Sequence, residues 1–162
     1  MRVLGIDPGT GITGFGVIDA IGGRFKLIDG GVIRTPANST LWYRLVTIYD
    51  GVKAVIDDSR PEALSIEKLF FSQNVKTAIS VSHARGVAML AAAQAGLEVF
   101  EYTPLQIKQA LTGYGRAEKS QIQDMVKVML NLNQVPKPDD CADGLAAAIC
   151  HAMHAGGKYP PV

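Results

Sequence analysis

Short apolar runs separated by turn residues dominate the first part of the chain. The run at residues 3–6 ends at an Asp-Pro-Gly turn that begins with Asp7, and strand-like runs follow at residues 13–20 and 24–34. The last two are separated only by Ile21 and two glycines. Runs joined by such short turns predict an antiparallel meander of three strands.

Helical and strand-like patterns alternate through the rest of the chain. Apolar positions recur at helical spacing in residues 41–58, 74–95, 104–111, 117–130 and 140–154, and strands are expected at residues 63–66 and 97–102. We therefore predict an α/β fold in which a five-stranded mixed sheet has helices on both faces. Residues 1–155 should form a single domain, with residues 156–162 as a flexible tail.

Composition narrows the class of protein without revealing its activity. The chain has 162 residues, of which 48% are hydrophobic, and its sixteen Lys and Arg against fifteen Asp and Glu leave a net charge of +1. The net charge therefore gives no indication of nucleic-acid binding, and any site for a polyanion has to come from a local cluster of positive charge. Two cysteines are too few for a disulfide scaffold, and no apolar run is long enough to span a bilayer. We expect a cytoplasmic protein that does not bind membranes.

Four carboxylates occur where a metal ion could use them. Asp7 follows the first strand and Glu67 the fourth, while Asp140 and Asp143 share one face of the last helix. Taken one at a time, most of these acids have an ordinary structural explanation. Asp7 suits a turn, Glu67 suits an exposed strand end, and Asp140 suits the N-terminus of a helix. Such an explanation fits Asp143 less well, because an apolar run of small residues follows it. Oxygen ligands of this kind favour Mg²⁺ or Mn²⁺ over zinc.

Two stretches near these acids carry cations but no acidic residue. They are residues 68–97 and residues 102–117, and Lys119 follows shortly after the second. Ordinary solvated faces and contacts to a phosphate backbone both explain this pattern. The candidate DNA contacts are Lys76, Arg85, Lys108, Arg116 and Lys119. Phe70, three residues after Glu67, is either a base-stacking side chain or a hydrophobic anchor.

Seven segments together resemble the RuvC-type crossover junction endodeoxyribonucleases, which resolve four-way (Holliday) DNA junctions. They run in order across nearly the whole chain: LGIDPGT with TGFG (residues 4–10 and 13–16), IEKLF with the later Asn74 (66–70), ARGVA (84–88), FEY (100–102), QIKQ (106–109), GRAEKSQ (115–121) and DCADGLA (140–146). No single segment suffices, because GIDxGT alone is a weak motif. Their combination is highly specific.

The resemblance implies an RNase H-like fold and a metal-dependent nuclease. Such a nuclease resolves a junction by two symmetric cuts during homologous recombination and DNA repair. The family's metal ligands fall on Asp7, Glu67, Asp140 and Asp143, which would hold two Mg²⁺ ions, with Mn²⁺ as a substitute. Its lysines near the scissile phosphate fall on Lys108 and Lys119, and its stacking aromatic on Phe70. Asp139 is an extra acid beside the last motif.

Resolution of a two-fold junction needs two cuts at related points, so we expect a two-fold homodimer. The helix at residues 74–95 is its candidate interface, because its second half is apolar on nearly every side. Contact with a branch-migration motor is implied by the resemblance alone.

Other functions remain open from the sequence alone. ATPases of the actin and sugar-kinase superfamily share the GIDxGT motif, but they pair two such domains around the nucleotide. Another RNase H-like nuclease, acting on RNA or on replication intermediates, is a nearer alternative. A catalytically silent junction-binding module is a third, which the presence of all four acids argues against.

Overall fold

Five strands form one mixed sheet in the computed structural model, which describes residues 1–69 and 74–156. The strands are β1 (Arg2–Asp7), β2 (Ile12–Ile21), β3 (Arg24–Arg34), β4 (Ala63–Glu67) and β5 (Glu98–Tyr102), in the spatial order β3-β2-β1-β4-β5. The β1–β2 and β2–β3 pairs are antiparallel, whereas the β1–β4 and β4–β5 pairs are parallel. The predicted meander and mixed sheet are confirmed.

Helices cover both faces of the sheet, as predicted. They are α1 (Leu41–Ser59), α2 (Val75–Gln94), α3 (Pro104–Thr112), α4 (Lys119–Met129) and α5 (Asp139–Ala155). One apolar core joins α1 and α2 to the sheet, and a second joins α3, α4 and α5 to it. The fourth helix begins later than its apolar pattern indicates, because Glu118 is its N-cap and donates its backbone N–H to the Gln121 side chain at 2.7 Å.

Glycines let α5 lie directly against the sheet. A Cβ atom at Gly5 of β1 would lie 1.9 Å from the carbonyl oxygen of Gly144, and one at Gly144 would lie 2.9 Å from the Cα of Phe15. No side chain fits between backbones this close. The contact carries the N-terminus of α5 to the edge of the sheet where β1 ends.

Among the described residues, no helix is both long and apolar enough to cross a membrane. The predicted tail lies outside the described residues except for Gly156, which caps α5.

Candidate active site

Asp7 and Glu67 leave the sheet at the same edge. Each is the last residue of its strand, and the parallel register of β1 and β4 pairs Ile6 with Ile66 immediately before them. Neighbouring parallel strands that end in register place their final side chains close together. The sequence could predict that each acid ends a strand, but the register that makes them neighbours comes from the sheet.

The N-terminal part of α5 brings Asp140 and Asp143 to the same edge. Gly14 of β2 lies opposite Asp7, and a Cβ at Gly14 would lie 1.9 Å from the carbonyl oxygen of Asp140. The missing side chain therefore allows the helix to approach the strand beside Asp7. The structure thus brings together all four acids that the sequence singled out.

Burial and neighbouring negative charge raise the pKa values of Asp7, Glu67 and Asp143. Burial, followed by the charges of the other three acids, raises the pKa of Asp7 to about 8. Burial and then Asp143 raise the pKa of Glu67, and burial raises that of Asp143. Desolvation and like charges both disfavour the anionic forms, so the cluster gains most from a bound cation.

Two lysines approach the acids from neighbouring helices. Nζ of Lys119 lies 3.2 Å from Oδ2 of Asp143, and the Lys108 charge lowers the pKa of Glu67. Burial acts to lower the pKa of Lys119, but Asp143 and Asp139 outweigh it and raise that pKa. Both lysines are therefore positioned to meet negative charge at the acid cluster.

Asp139 and Asp140 have different partners. Asp139 lies within ion-pair distance of two lysines, at 3.8 Å from Lys119 and 3.4 Å from Lys137. Asp140 instead interacts with Asp7, whose pKa it raises through its charge and a side-chain hydrogen bond. The geometry therefore favours Asp140 as the fourth acid of the cluster, whereas Asp139 pairs with lysines.

Arg85 of α2 is engaged within the protein. Its Nε donates to the backbone carbonyl of Glu67 at 3.2 Å, and its guanidinium forms an ion pair with Glu101 of β5. Only 15% of the side chain is exposed. These contacts tie α2 to the ends of β4 and β5, and they favour a role in positioning Glu67 over the predicted DNA contact.

Of the remaining predicted DNA contacts, two are described by the structure and one is not. Lys76, in the first turn of α2, and Arg116, in the α3–α4 loop, are both exposed. Phe70 lies outside the described residues, so its role stays a prediction from the sequence.

Sequence reasoning missed two further features near the site. The hydroxyl groups of Thr10 and Ser80 lie 2.7 Å apart and connect the turn after Asp7 to α2. Tyr114, in the same loop as Arg116, is 56% exposed. The only sequence signal for Tyr114 is an aromatic between two glycines in a segment without acids.

The acid cluster has the chemistry of a site for hard cations, although it is not a ready-made one. Within residues 1–69 and 74–156, no three His, Cys, Asp or Glu side chains already have the arrangement of a metal site. The donor set nevertheless fits Mg²⁺ or Mn²⁺, since it consists of carboxylate oxygens whose mutual repulsion a cation would relieve.

Two cavities of the protein lie away from the acids. Cavities of about 1040 Å³ and 390 Å³ lie near Met1, at the end of the sheet opposite Asp7. If the acid cluster binds a substrate, its place at the edge of the sheet suits a macromolecule better than a small molecule enclosed in a cavity.

Comparison with known proteins identifies one family. The family model described as crossover junction endodeoxyribonuclease RuvC matches residues 3–151. A protein of that name from Alkaliphilus oremlandii is 58% identical over 156 residues, which cover 96% of this chain and 94% of the relative. One from Ruminiclostridium cellulolyticum is 54% identical over 151 residues, which cover 93% and 91%.

Solved structures agree with these relatives. The Thermus thermophilus RuvC structure superposes with a TM-score of 0.90 at 37% identity, covering 98% of this chain and 97% of that one. The structure of T. thermophilus RuvC in complex with a Holliday junction substrate gives a TM-score of 0.92 at 38% identity, covering 98% and 96%. The RNase H-like fold implied by the sequence resemblance is confirmed.

Proposed function

Because the chain belongs to the crossover junction endodeoxyribonuclease family RuvC, we propose that its acid cluster hydrolyses phosphodiester bonds in four-way junction DNA. The observation that carries this proposal is the convergence of Asp7, Glu67, Asp140 and Asp143 at one edge of the sheet. Lys108 and Lys119 flank the cluster from α3 and α4. The cytoplasm, where bacterial chromosomal DNA lies, is the compartment that this substrate implies.

We propose that the four carboxylates hold two Mg²⁺ ions, with Mn²⁺ as a substitute. A pair of such ions supplies an activated water and stabilises the leaving oxygen in phosphodiester hydrolysis. The chain's own part is to fix the carboxylates on two strand ends and one helix, close enough for the other three to act on Asp7. The raised pKa values of Asp7, Glu67 and Asp143 support this assignment, because a cation would restore the anionic forms.

Lys119 and Lys108 would act on the charge of the DNA. A lysine that already pairs with Asp143 lies within reach of a phosphate bound beside that acid. Its ammonium group would stabilise the negative charge that develops on the phosphate oxygens during attack. Phe70 is retained from the sequence resemblance as the candidate side chain that stacks on an unpaired base.

We propose that the protein acts as a homodimer through the outer face of α2. Ile79 and Leu90 are about half exposed on this helix, and Gly86 between them has open space where a side chain would be. From the sequence, Ala88 and Ala91 are equally good candidates for this interface, but the structure buries both in the core beside the sheet. A charged residue at either position would therefore disrupt folding and would not test the dimer. A two-fold dimer would present two acid clusters to a two-fold junction.

Sedimentation tests the dimer directly. Wild-type protein should sediment near twice 17.3 kDa, whereas Leu90→Glu should shift it towards the monomer because a buried charge opposes association. The exposed Val128 on α4 offers a matched control, and Val128→Glu should leave the dimer intact. A Leu90→Glu protein that remains fully dimeric would exclude this face.

Cleavage assays test the nuclease activity. Wild-type protein should cut a synthetic four-way junction in Mg²⁺, should leave linear duplex of the same sequence intact and should lose activity in excess EDTA. Asp7→Asn should bind the junction but not cut it, because it removes a ligand without altering the basic surface. Turnover of ATP without cutting would favour the ATPase alternative. Contact with a branch-migration motor is proposed on family grounds alone.

A further inference from the structure

The loop at residues 113–118 joins the two helices that carry the site lysines. Lys108 lies on α3, and its charge lowers the pKa of Glu67. Lys119 begins α4, and its Nζ lies 3.2 Å from Oδ2 of Asp143. The loop therefore borders the acid cluster. It also offers something that the acids and lysines do not, which is an exposed aromatic ring.

Hydrogen bonds fix the backbone of Tyr114 within this loop. Its N–H donates to Oγ1 of Thr112 at 3.1 Å, and its carbonyl oxygen accepts from the N–H of Ala117 at 3.2 Å. Gly113 adopts a left-handed conformation with φ of 73°, which ends α3 just before the tyrosine. The backbone is thus anchored on both sides while more than half of the residue's surface faces solvent. Because the backbone of the loop is already ordered, a contact made by the ring does not have to order the loop.

The surroundings of Tyr114 favour a polyanion as the partner. Residues 102–117 contain no Asp or Glu, and Arg116 is exposed two positions after the tyrosine. The first acid that follows, Glu118, is the N-cap of α4. An exposed ring and an exposed arginine share this loop, which joins the two helices that carry Lys108 and Lys119. This is the combination of stacking surface and positive charge that proteins use to bind nucleic acid strands.

We propose that Tyr114 contacts the junction strand beside the scissile phosphate, with its ring packed against an unpaired base. This inference rests on the proposed junction-cutting function and adds an aromatic contact from the α3–α4 loop to the two lysines. The ring, and not the hydroxyl group, supplies the contact.

Junction binding by Tyr114 variants tests the proposal, with Asp7→Asn present throughout so that no strand is cut. Tyr114→Ala should weaken binding about tenfold, as expected for the loss of one stacked base, and Tyr114→Phe should bind like the parent. Because no charge is removed, Tyr114→Ala should keep the salt dependence of the parent, whereas Arg116→Ala should reduce that slope by about one. Tyr43→Ala removes a tyrosine of similar exposure from α1 and should leave junction binding unchanged.

Fluorescence provides a readout that does not depend on affinity. Trp42 is the only tryptophan of the chain, so Trp42→Phe combined with Tyr114→Trp moves the sole reporter into the loop. Stacking on a base should quench its emission on addition of junction, while the parent reporter on α1 should respond much less. Both variants should melt like the parent, since the two side chains are exposed.

The outcomes separate this inference from the proposed function. If the Asp7→Asn parent binds junctions but Tyr114→Ala binds equally well and the loop reporter is not quenched, the contact is absent and the nuclease function stands. If Tyr114→Phe is as weak as Tyr114→Ala, the hydroxyl group and not the ring is responsible, which also contradicts the proposal. A wild-type protein that neither binds nor cuts junctions would overturn both.

Discussion

At the scale of single residues, the adjacent aspartates at the start of α5 show how position within one helical turn decides a role. Asp139 lies near Lys119 and Lys137, whereas Asp140 interacts with Asp7. The sequence could indicate Asp140 through the spacing of Asp140 and Asp143. It could not exclude Asp139, because both acids also suit the N-terminus of a helix.

Substitution of the two aspartates should give opposite results. Asp140→Asn should abolish cutting and retain junction binding, because it removes a carboxylate from the cluster without removing a cation. Asp139→Asn should cut within a few-fold of wild type, since exposed ion pairs contribute little. Cleavage and gel-shift assays on the same preparations measure both effects. An inactive Asp139→Asn beside an active Asp140→Asn would reverse the assignment.

At the scale of elements, Arg85 connects α2 to the strands that end at the site. Its guanidinium reaches the Glu67 carbonyl and the Glu101 carboxylate, which a lysine with a single ammonium group could not hold together in the same way. We expect Arg85→Lys to raise the Mg²⁺ concentration for half-maximal cutting roughly tenfold, a size typical for residues that orient metal ligands. Junction affinity measured in Ca²⁺ should be unchanged.

An exposed cation of the same helix provides the comparison for Arg85. Lys76→Ala should lower the salt dependence of junction binding by about one phosphate contact and leave the Mg²⁺ requirement alone. If Arg85→Lys instead weakens junction binding and leaves the Mg²⁺ requirement unchanged, Arg85 is a DNA contact after all.

The packing of α5 on β5 buries a histidine that should make folding sensitive to acid. Nδ1 of His151 lies 2.8 Å from the Tyr102 hydroxyl group, its ring stacks on Phe100, and only 3% of the residue is exposed. Burial, and then the nearby His154, lower the pKa of His151 from 6.5 to about 4. Between these values the unfolded chain binds a proton that the folded protein does not, so stability falls as the pH drops.

Urea unfolding at two pH values measures this effect. Relative to His151→Gln, which does not titrate, wild-type protein should lose about 2 kcal/mol of unfolding free energy between pH 7.5 and pH 5. The comparison with the variant matters because the acid cluster acts in the opposite direction: its raised pKa values favour the folded state at low pH. Parallel pH dependences for the two proteins would show that His151 is protonated in the folded state.

The positions of helices and strands along the chain could be predicted from the sequence better than the sides on which they are buried. The apolar pattern predicted α2, but its second half is apolar on nearly every side, so the pattern could not tell Ala88, which is buried, from Leu90, which is half exposed. Only the packing of α1 and the sheet against one side of α2 makes that distinction. The small residues after Asp143 indicated that α5 could lie close to the sheet. The strands that it contacts could not be predicted, because glycines at positions 5 and 14 have several possible uses.

At the scale of the whole molecule, resolution of a junction requires two cuts, and the described residues of one chain form one such acid cluster. A four-way junction has two-fold symmetry, so a two-fold dimer would bring one cluster to each of two related strands. A single active cluster in a dimer should therefore nick a junction without resolving it.

Mixed dimers of wild-type and Asp7→Asn subunits test this consequence. On a supercoiled plasmid that extrudes a cruciform, paired cuts by one dimer yield linear DNA, whereas a single cut relaxes the plasmid to a nicked circle and removes the cruciform. Purified mixed dimers should give nicked circles almost exclusively, because the Asp7→Asn cluster lacks a ligand while its DNA-binding surface is intact. Wild-type dimers should give linear DNA, and a mixture of Leu90→Glu with Asp7→Asn proteins should cut little, since the first associates poorly. Linear product from the mixed dimer at the wild-type rate would mean that one cluster makes both cuts, and the second protomer would then serve only to bind the junction.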